Sequence, residues 1–253
     1  MDSLVSQGKK VIAIVQARVG STRLPGKVMM NIINKPILQH ICERLRRSLR
    51  IDAIVLATTT SKEDDLLVNF AKKAILAYYR GEKRDVLSRY YGAANQFRAE
   101  VIIRICADSP LVDPQIIDEV VDKHLRSNSA YTSTGIKRTF PLGINTEVFS
   151  YDALERAYNE AKLDYEREHV TPYIYQHPKL FKIQHIEASG NLRRPDLRLT
   201  VDTEEDLRLI REIFKRLYRD GQIFYTEEVI ELLEKHPELV AINAHIKQKE
   251  LGE

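Results

Sequence analysis

Val15-Gln16-Ala17-Arg18-Val19-Gly20-Ser21-Thr22-Arg23-Leu24-Pro25-Gly26-Lys27-Val28 follows directly on an apolar run that begins at Val11. A buried strand that ends in a turn with two glycines, two arginines, a lysine and two hydroxyls gathers backbone N–H groups and fixed positive charge. That is an anion cradle. Its spacing is not that of a Walker A loop, which needs four residues between the glycines and then Lys-Ser or Lys-Thr. Here five residues separate Gly20 from Gly26, and Val28 follows Lys27. No G-x-G-x-x-G is present either, so a dinucleotide loop is not indicated. Three cations between Arg18 and Lys27 suit a polyphosphate, because Arg forks grip phosphate bidentately while Lys acts as a point charge. A basic surface loop is the plainer reading. The density of the motif and its place directly after the first strand favour the cradle, since parallel sheets bind ligands outside the carboxyl ends of their strands.

A chain of 253 residues with 43% hydrophobic content can bury a real core. The formal charge of +3, from 39 basic and 36 acidic residues, is too balanced for nucleic acid to be the main partner. Cys42 and Cys106 lie far apart in apolar-patterned segments, so neither a disulfide framework nor a zinc site is signalled, and a reducing cytoplasm is expected. The polar start from Met1 to Lys10 and the lack of any run of about 18 apolar residues predict no export and no membrane.

Downstream, Lys35-Pro36 reads as a helix opening, with Ile37, Leu38, Ile41, Cys42 and Leu45 at helical spacing. Ala53 to Thr58 reads as a strand buried on both faces, and Ser61-x-x-Asp64 as a cap on a helix to Lys73. A strand from Ala74 to Tyr79, a helix from Asp85 to Phe97 and a strand from Val101 to Ala107 continue the alternation. This order predicts a mostly parallel sheet covered by helices. Asp108 follows the fourth strand on the same edge as the cradle. It reads either as a turn former before Ser109-Pro110 or as a carboxylate that faces phosphates through a cation. Asp113 is placed to cap a helix from Pro114. Strands are expected at Ala130 to Thr134 and Leu180 to Ile186, and helix from Tyr151 to Tyr175. Charge and tyrosine crowd together from Asp164 to Tyr175, as a polar pocket or a subunit contact would require. Leu197 to Val201 reads as a last strand running into Asp202, then Thr203 with Asp206 as a capping box. A helix to Tyr218, one from Thr226 to Lys235, and an amphipathic tail to about Lys249 follow.

These pieces together resemble the cytidylyltransferases of the CMP-sugar-acid synthetase type, in particular the branch of the spore coat polysaccharide biosynthesis protein F. The matching segments are 14–18 with 20–27, Arg80-Gly81 with 85–90, 107–111, 165–173 and 200–207, in the family's order. The resemblance implies an α/β, Rossmann-like nucleotide-diphospho-sugar transferase fold of the glycosyltransferase-A type. That is a three-layer sandwich with a mostly parallel sheet, formed by 1–253 as a single domain in which 130–195 is a dimerisation and acceptor-binding insert. It implies transfer of CMP from CTP to a sugar acid with loss of pyrophosphate, by a homodimer using Mg²⁺. By the same likeness Ala17, Arg18, Gly20, Ser21, Arg23 and Lys27 bind nucleotide phosphates, while Gly81, Asp85, Ser88 and Arg89 lie near base and ribose. Asp108 and Asp202 hold the metal, Glu168 and His169 face the acceptor, and Arg18, Lys27, Asp108 and Asp202 are the catalytic set.

Two other classes compete. A nucleotide-sugar glycosyltransferase on the same architecture usually carries a D-x-D metal site, and Asp108-Ser109-Pro110 lacks the second acid. A non-catalytic nucleotide-binding protein would keep the cradle without turnover.

Overall fold

The computed structural model describes residues 8–248; the first seven residues of the polar start, and the tail from Lys249 on, lie outside the described residues. β1 (Val11–Gln16) buries Val11, Ala13 and Val15 in one apolar layer and Ile12 and Ile14 in the other. That two-sided burial is why its run is unbroken by polar residues. β2 (Asn31–Ile32) and β3 (Lys35–Pro36) form a small antiparallel pair ahead of α1 (Ile37–Leu45). Lys35-Pro36 therefore does not open the helix. Ile33 and Asn34 take positive φ of 42° and 62°, making a tight hairpin whose second strand ends on Pro36.

β4 (Ala53–Thr59) leads through a short 3-10 turn to α2 (Asp65–Lys73), and Ser61 makes no side-chain cap there. Asp64 is used elsewhere, accepting from the Val19 amide and the Thr59 hydroxyl. β5 (Ala77–Gly81), α3 (Val86–Phe97), β6 (Val101–Cys106) and α4 (Pro114–Ser127) follow. Asp113 caps α4 through the amides of Gln115 and Ile116, as its position before Pro114 predicts.

β7 (Tyr131–Ser133), β8 (Glu147–Ser150), α5 (Tyr151–Glu160), α6 (Asp164–His169), α7 (Pro172–Gln176) and β9 (Ile183–His185) come next. The single helical pattern expected over 151–175 is three helices. The chain turns extended at Ala161 and takes φ +73° at Val170, just ahead of Pro172. α8 (Glu204–Leu217), α9 (Thr226–Lys235) and α10 (Pro237–Val240) complete the fold.

The sheet order is β5-β4-β1-β6-β8-β7-β9, and β8 alone runs against its neighbours. α1, α2, α4, α8 and α9 bury apolar residues against one face, and α3, α5 and α7 against the other. The result is the Rossmann-like three-layer α/β architecture. Because β4 and β6 flank β1 on opposite sides, a crevice opens at the carboxyl ends of β1 and β6.

Leu197 to Val201 is extended but is not a ladder strand. It bonds to two loops in turn: Leu142 N–H to the Leu197 carbonyl at 2.9 Å, Leu199 N–H to Leu142 at 2.7 Å, and Val201 N–H to Asp108 at 2.8 Å. The segment crosses the sheet's carboxyl edge, which carries Asp202 to Asp108.

Candidate active site

The loop after β1 is tied down before it is free to bind anything. The Val19 carbonyl accepts from the amides of Ser21 at 2.8 Å and Gly26 at 2.9 Å, and the Val19 amide donates to Asp64 at 2.7 Å. Gly26 sits at φ +72°, a conformation glycine adopts at no steric cost, and so aims Lys27 back into the crevice. There the Lys27 ammonium donates to Asp202 Oδ1 at 2.8 Å, to the Val201 carbonyl at 2.8 Å and to Asp108 Oδ2 at 3.2 Å. Burial alone would lower the Lys27 pKa; the two carboxylates outweigh it and raise it.

Asp202 is built into a deeper network. Its Oδ1 also meets Arg23 at 2.9 Å, and its Oδ2 accepts from Arg198 at 2.8 Å. Burial would push this carboxyl up, but Lys27, Arg23 and Arg198 hold it below the ordinary carboxylate range. Arg198 in turn grips Asp206, at 2.8 and 3.1 Å, and Asn243 donates both to Asp206 and to the Arg198 carbonyl. Asp206 also closes the capping box of α8, accepting from Thr203 N–H at 3.1 Å while Thr203 Oγ1 accepts from Asp206 N–H. Thus a helix cap fixes the guanidinium that fixes Asp202.

The opposite wall is built from α3 and α6. Asp85 caps α3 through the Ser88 amide at 2.9 Å, and its other oxygen is clamped by Arg167 of α6 at 2.6 Å. Arg89 is buried, donates to the Glu82 carbonyl at 2.6 Å, and has its pKa lowered by burial. Glu168 and His169 line the cleft, and burial lowers the His169 pKa, so the ring is neutral near pH 7. Under α6, Glu147 accepts from Arg104, Tyr131 and Thr171, joining three strands to the turn between α6 and α7.

One cleft of about 1190 Å³ is lined by Ala17, Arg18, Ser21, Arg23, Lys27, Asp85, Arg89, Asp108, Glu168, His169 and Asp202. Three expected nucleotide residues stand back from its wall. Gly20 faces Glu63; Gly81 packs on Arg89, where a Cβ would lie 2.7 Å from Cγ; and Ser88 is spent on α3, its hydroxyl donating to the Asp85 carbonyl. Arg84, Arg167, Tyr165 and Cys106 also line the cleft. The segment Asp164 to Tyr175 signalled its share of these by density of charge and tyrosine, but Arg84 looked like any exposed arginine. Arg198 carried no signal, because apart from Asp202 its guanidinium partners come from α8 and the C-terminal segment.

Among the described residues the guanidinium groups of Arg18 and Arg84 face this cleft without a hydrogen bond or ion pair, as do the carboxylates of Asp164 and Glu168, so charges of both signs are free to meet a ligand. Burial raises the Cys106 thiol to about 11, which leaves it protonated and no nucleophile near neutral pH. Among the described residues no three His, Cys, Asp or Glu side chains are grouped to hold a metal. Two carboxylates with a cation already between them do suit Mg²⁺, which is commonly bound through one or two carboxylates, waters and substrate phosphates.

Comparison with known proteins agrees with this chemistry. A family model described as Cytidylyltransferase matches residues 12–236. The spore coat polysaccharide biosynthesis protein SpsF of Bacillus subtilis is 34% identical over 90% of this chain and 95% of its own. An uncharacterized protein of Methanocaldococcus jannaschii is 40% identical over 96% of this chain and 98% of its own. A solved cytidylyltransferase from Leptospira borgpetersenii superposes with a TM-score of 0.87 at 31% identity, covering 96% of this chain and all of the other. With the match running through every element that builds the cleft, the chain belongs to the cytidylyltransferase family of CTP-dependent nucleotidyltransferases.

Proposed function

We propose that the protein transfers CMP from CTP to a sugar acid or related acceptor and releases pyrophosphate, in the cytoplasm, for a surface polysaccharide or glycoconjugate. The observation that carries this is the meeting of Lys27, Asp108 and Asp202 in a cleft where the guanidinium groups of Arg18 and Arg84 have no partner among the described residues. The likeness to a spore coat polysaccharide protein supports the setting.

Arg18, Ser21, Arg23 and Lys27 take the triphosphate. Asp85 and Arg89 lie toward base and ribose, and Glu168 with neutral His169 faces the acceptor. An acceptor oxygen attacks the α-phosphorus in line; the new P–O bond forms as the bond to the β-phosphate oxygen breaks, and pyrophosphate leaves toward the cations. The protein's task is to hold that line and to neutralise charge growing on the leaving oxygens. Asp108 and Asp202 would hold Mg²⁺, which when bound supplies further charge neutralisation on the phosphates. Segment 130–195 pairs two subunits.

The test is pyrophosphate release from CTP across a panel of sugar acids. Lys27→Ala and Asp108→Asn are each expected to lower turnover by on the order of 100-fold, as loss of a preorganised charge does. Undiminished turnover in both would remove the mechanism.

A further inference from the structure

The Lys27 ammonium has three protons, and all three are engaged: by Asp108 Oδ2, Asp202 Oδ1 and the Val201 carbonyl. It has no donor left for a phosphate. At Asp202 both oxygens are taken, Oδ2 by Arg198 and Oδ1 by Lys27 and Arg23, and Oδ1 is the one that faces Asp108 across the ammonium. Asp108 presents Oδ2 to the same ammonium, while its Oδ1 lies 3.3 Å from the Ser109 hydroxyl. An ion held between the two carboxylates would therefore stand where the ammonium now stands. The lysine and the nucleotide need the same ammonium.

We propose that Lys27 is a cation placeholder. In the nucleotide-free protein its ammonium fills the metal position between Asp108 and Asp202, and a triphosphate that draws Lys27 away opens that position to the divalent ion. The inference rests on the proposed function in taking the triphosphate as the group that draws the lysine out. Electrostatics favours an exchange over simple addition. The lysine and Asp202 side chains are 11% and 9% exposed, so removing the ammonium without replacement would leave a buried carboxylate short of a partner. A divalent ion added beside the ammonium would meet a like charge at contact distance. By linkage, whatever nucleotide does to metal affinity, metal does to nucleotide affinity, and Lys27 is the element through which the two are coupled.

Mn²⁺ binding to the free protein, read by electron paramagnetic resonance of the unbound ion, tests this without turnover. Lys27→Met is expected to bind Mn²⁺ more tightly than the wild type by about tenfold or more, within the usual range of site coupling. Arg23→Met, which leaves Lys27 in place, should gain less. Lys137→Met, which removes an exposed lysine paired with Glu187, should gain nothing and so controls for net charge. Circular dichroism checks the fold, and Lys27→Gln repeats the measurement if the methionine variant unfolds. Unchanged or weaker Mn²⁺ binding in the folded Lys27 variants overturns the exchange, as does an equal gain in Lys137→Met. Calorimetric titration of the wild type with CTP separates the two readings. Failure of CTP to bind removes the nucleotide's role, while the Mn²⁺ result still decides what occupies the metal position.

Discussion

Gly143 shows how one backbone position reaches the site from outside it. Its φ of +99° lies where L side chains are strained, and a Cβ there would fall 2.7 Å from the carbonyl carbon and oxygen of Leu199 and from the Thr200 amide nitrogen. Those atoms are backbone and cannot rotate away. Gly143→Ala must push the segment that delivers Asp202, so it should cost about 2–4 kcal/mol and lower pyrophosphate release together. Gly135→Ala is the comparison: its Cβ would meet only side-chain atoms, at 3.4 Å or more, and the change should stay within about 0.5 kcal/mol. Urea midpoints of the two variants check this, and equal losses would refute the argument. Lys27, Asp108 and Asp202 were readable in the sequence because each follows a predicted strand on one edge. Arg198 was not, since the worth of its guanidinium depends on Asp206 and Gln248, which only the folded chain brings to it.

Among the elements, α4 carries a titration of its own. His124 in its last turn is buried, with Nδ1 3.0 Å from the Thr132 hydroxyl of β7. Burial, with Lys9 adding to it, lowers the pKa from 6.5 to about 4. The group is neutral when folded and protonated when unfolded between those values, so its contribution is complete above pH 6.5 and is lost as pH falls toward 4. The loss amounts to roughly 3 kcal/mol at 1.36 kcal/mol per pH unit. His124→Asn keeps a polar partner for Thr132 and cannot charge. Its stability relative to the wild type should improve from pH 7 to pH 5, measured by urea unfolding at both, and parallel pH curves would sink the assignment. The strand and helix pattern around α4 was legible from apolar spacing and from Asp113 before Pro114. The Leu197 to Val201 segment misled because an extended stretch buried at every residue looks the same whether its partner is a strand or two loops. The break at Val170 misled because it falls within a run of otherwise helical residues, with only Pro172 two residues on to mark it.

For the whole molecule, the part of the chain between β7 and β9 does more than one job. It supplies α6 to the cleft wall, fastened to α3 through Arg167 and Asp85, and it leaves Ile136, Leu163 and Leu180, large apolar side chains, about half exposed in one subunit. Single exposed apolar residues are common on monomers, so their exposure does not make an interface. The family likeness supplies the further reason to place a subunit contact over 130–195. If that contact forms, light scattering at working concentration should give twice the chain mass of 29.2 kDa. A charged residue at Ile136, Ile136→Glu, should move the mass toward one chain while CTP still stabilises the protein, because Ile136 does not line the cleft. A wild-type mass of 29.2 kDa would refute the pairing and leave the cleft chemistry, all of whose placed side chains come from one chain, untouched.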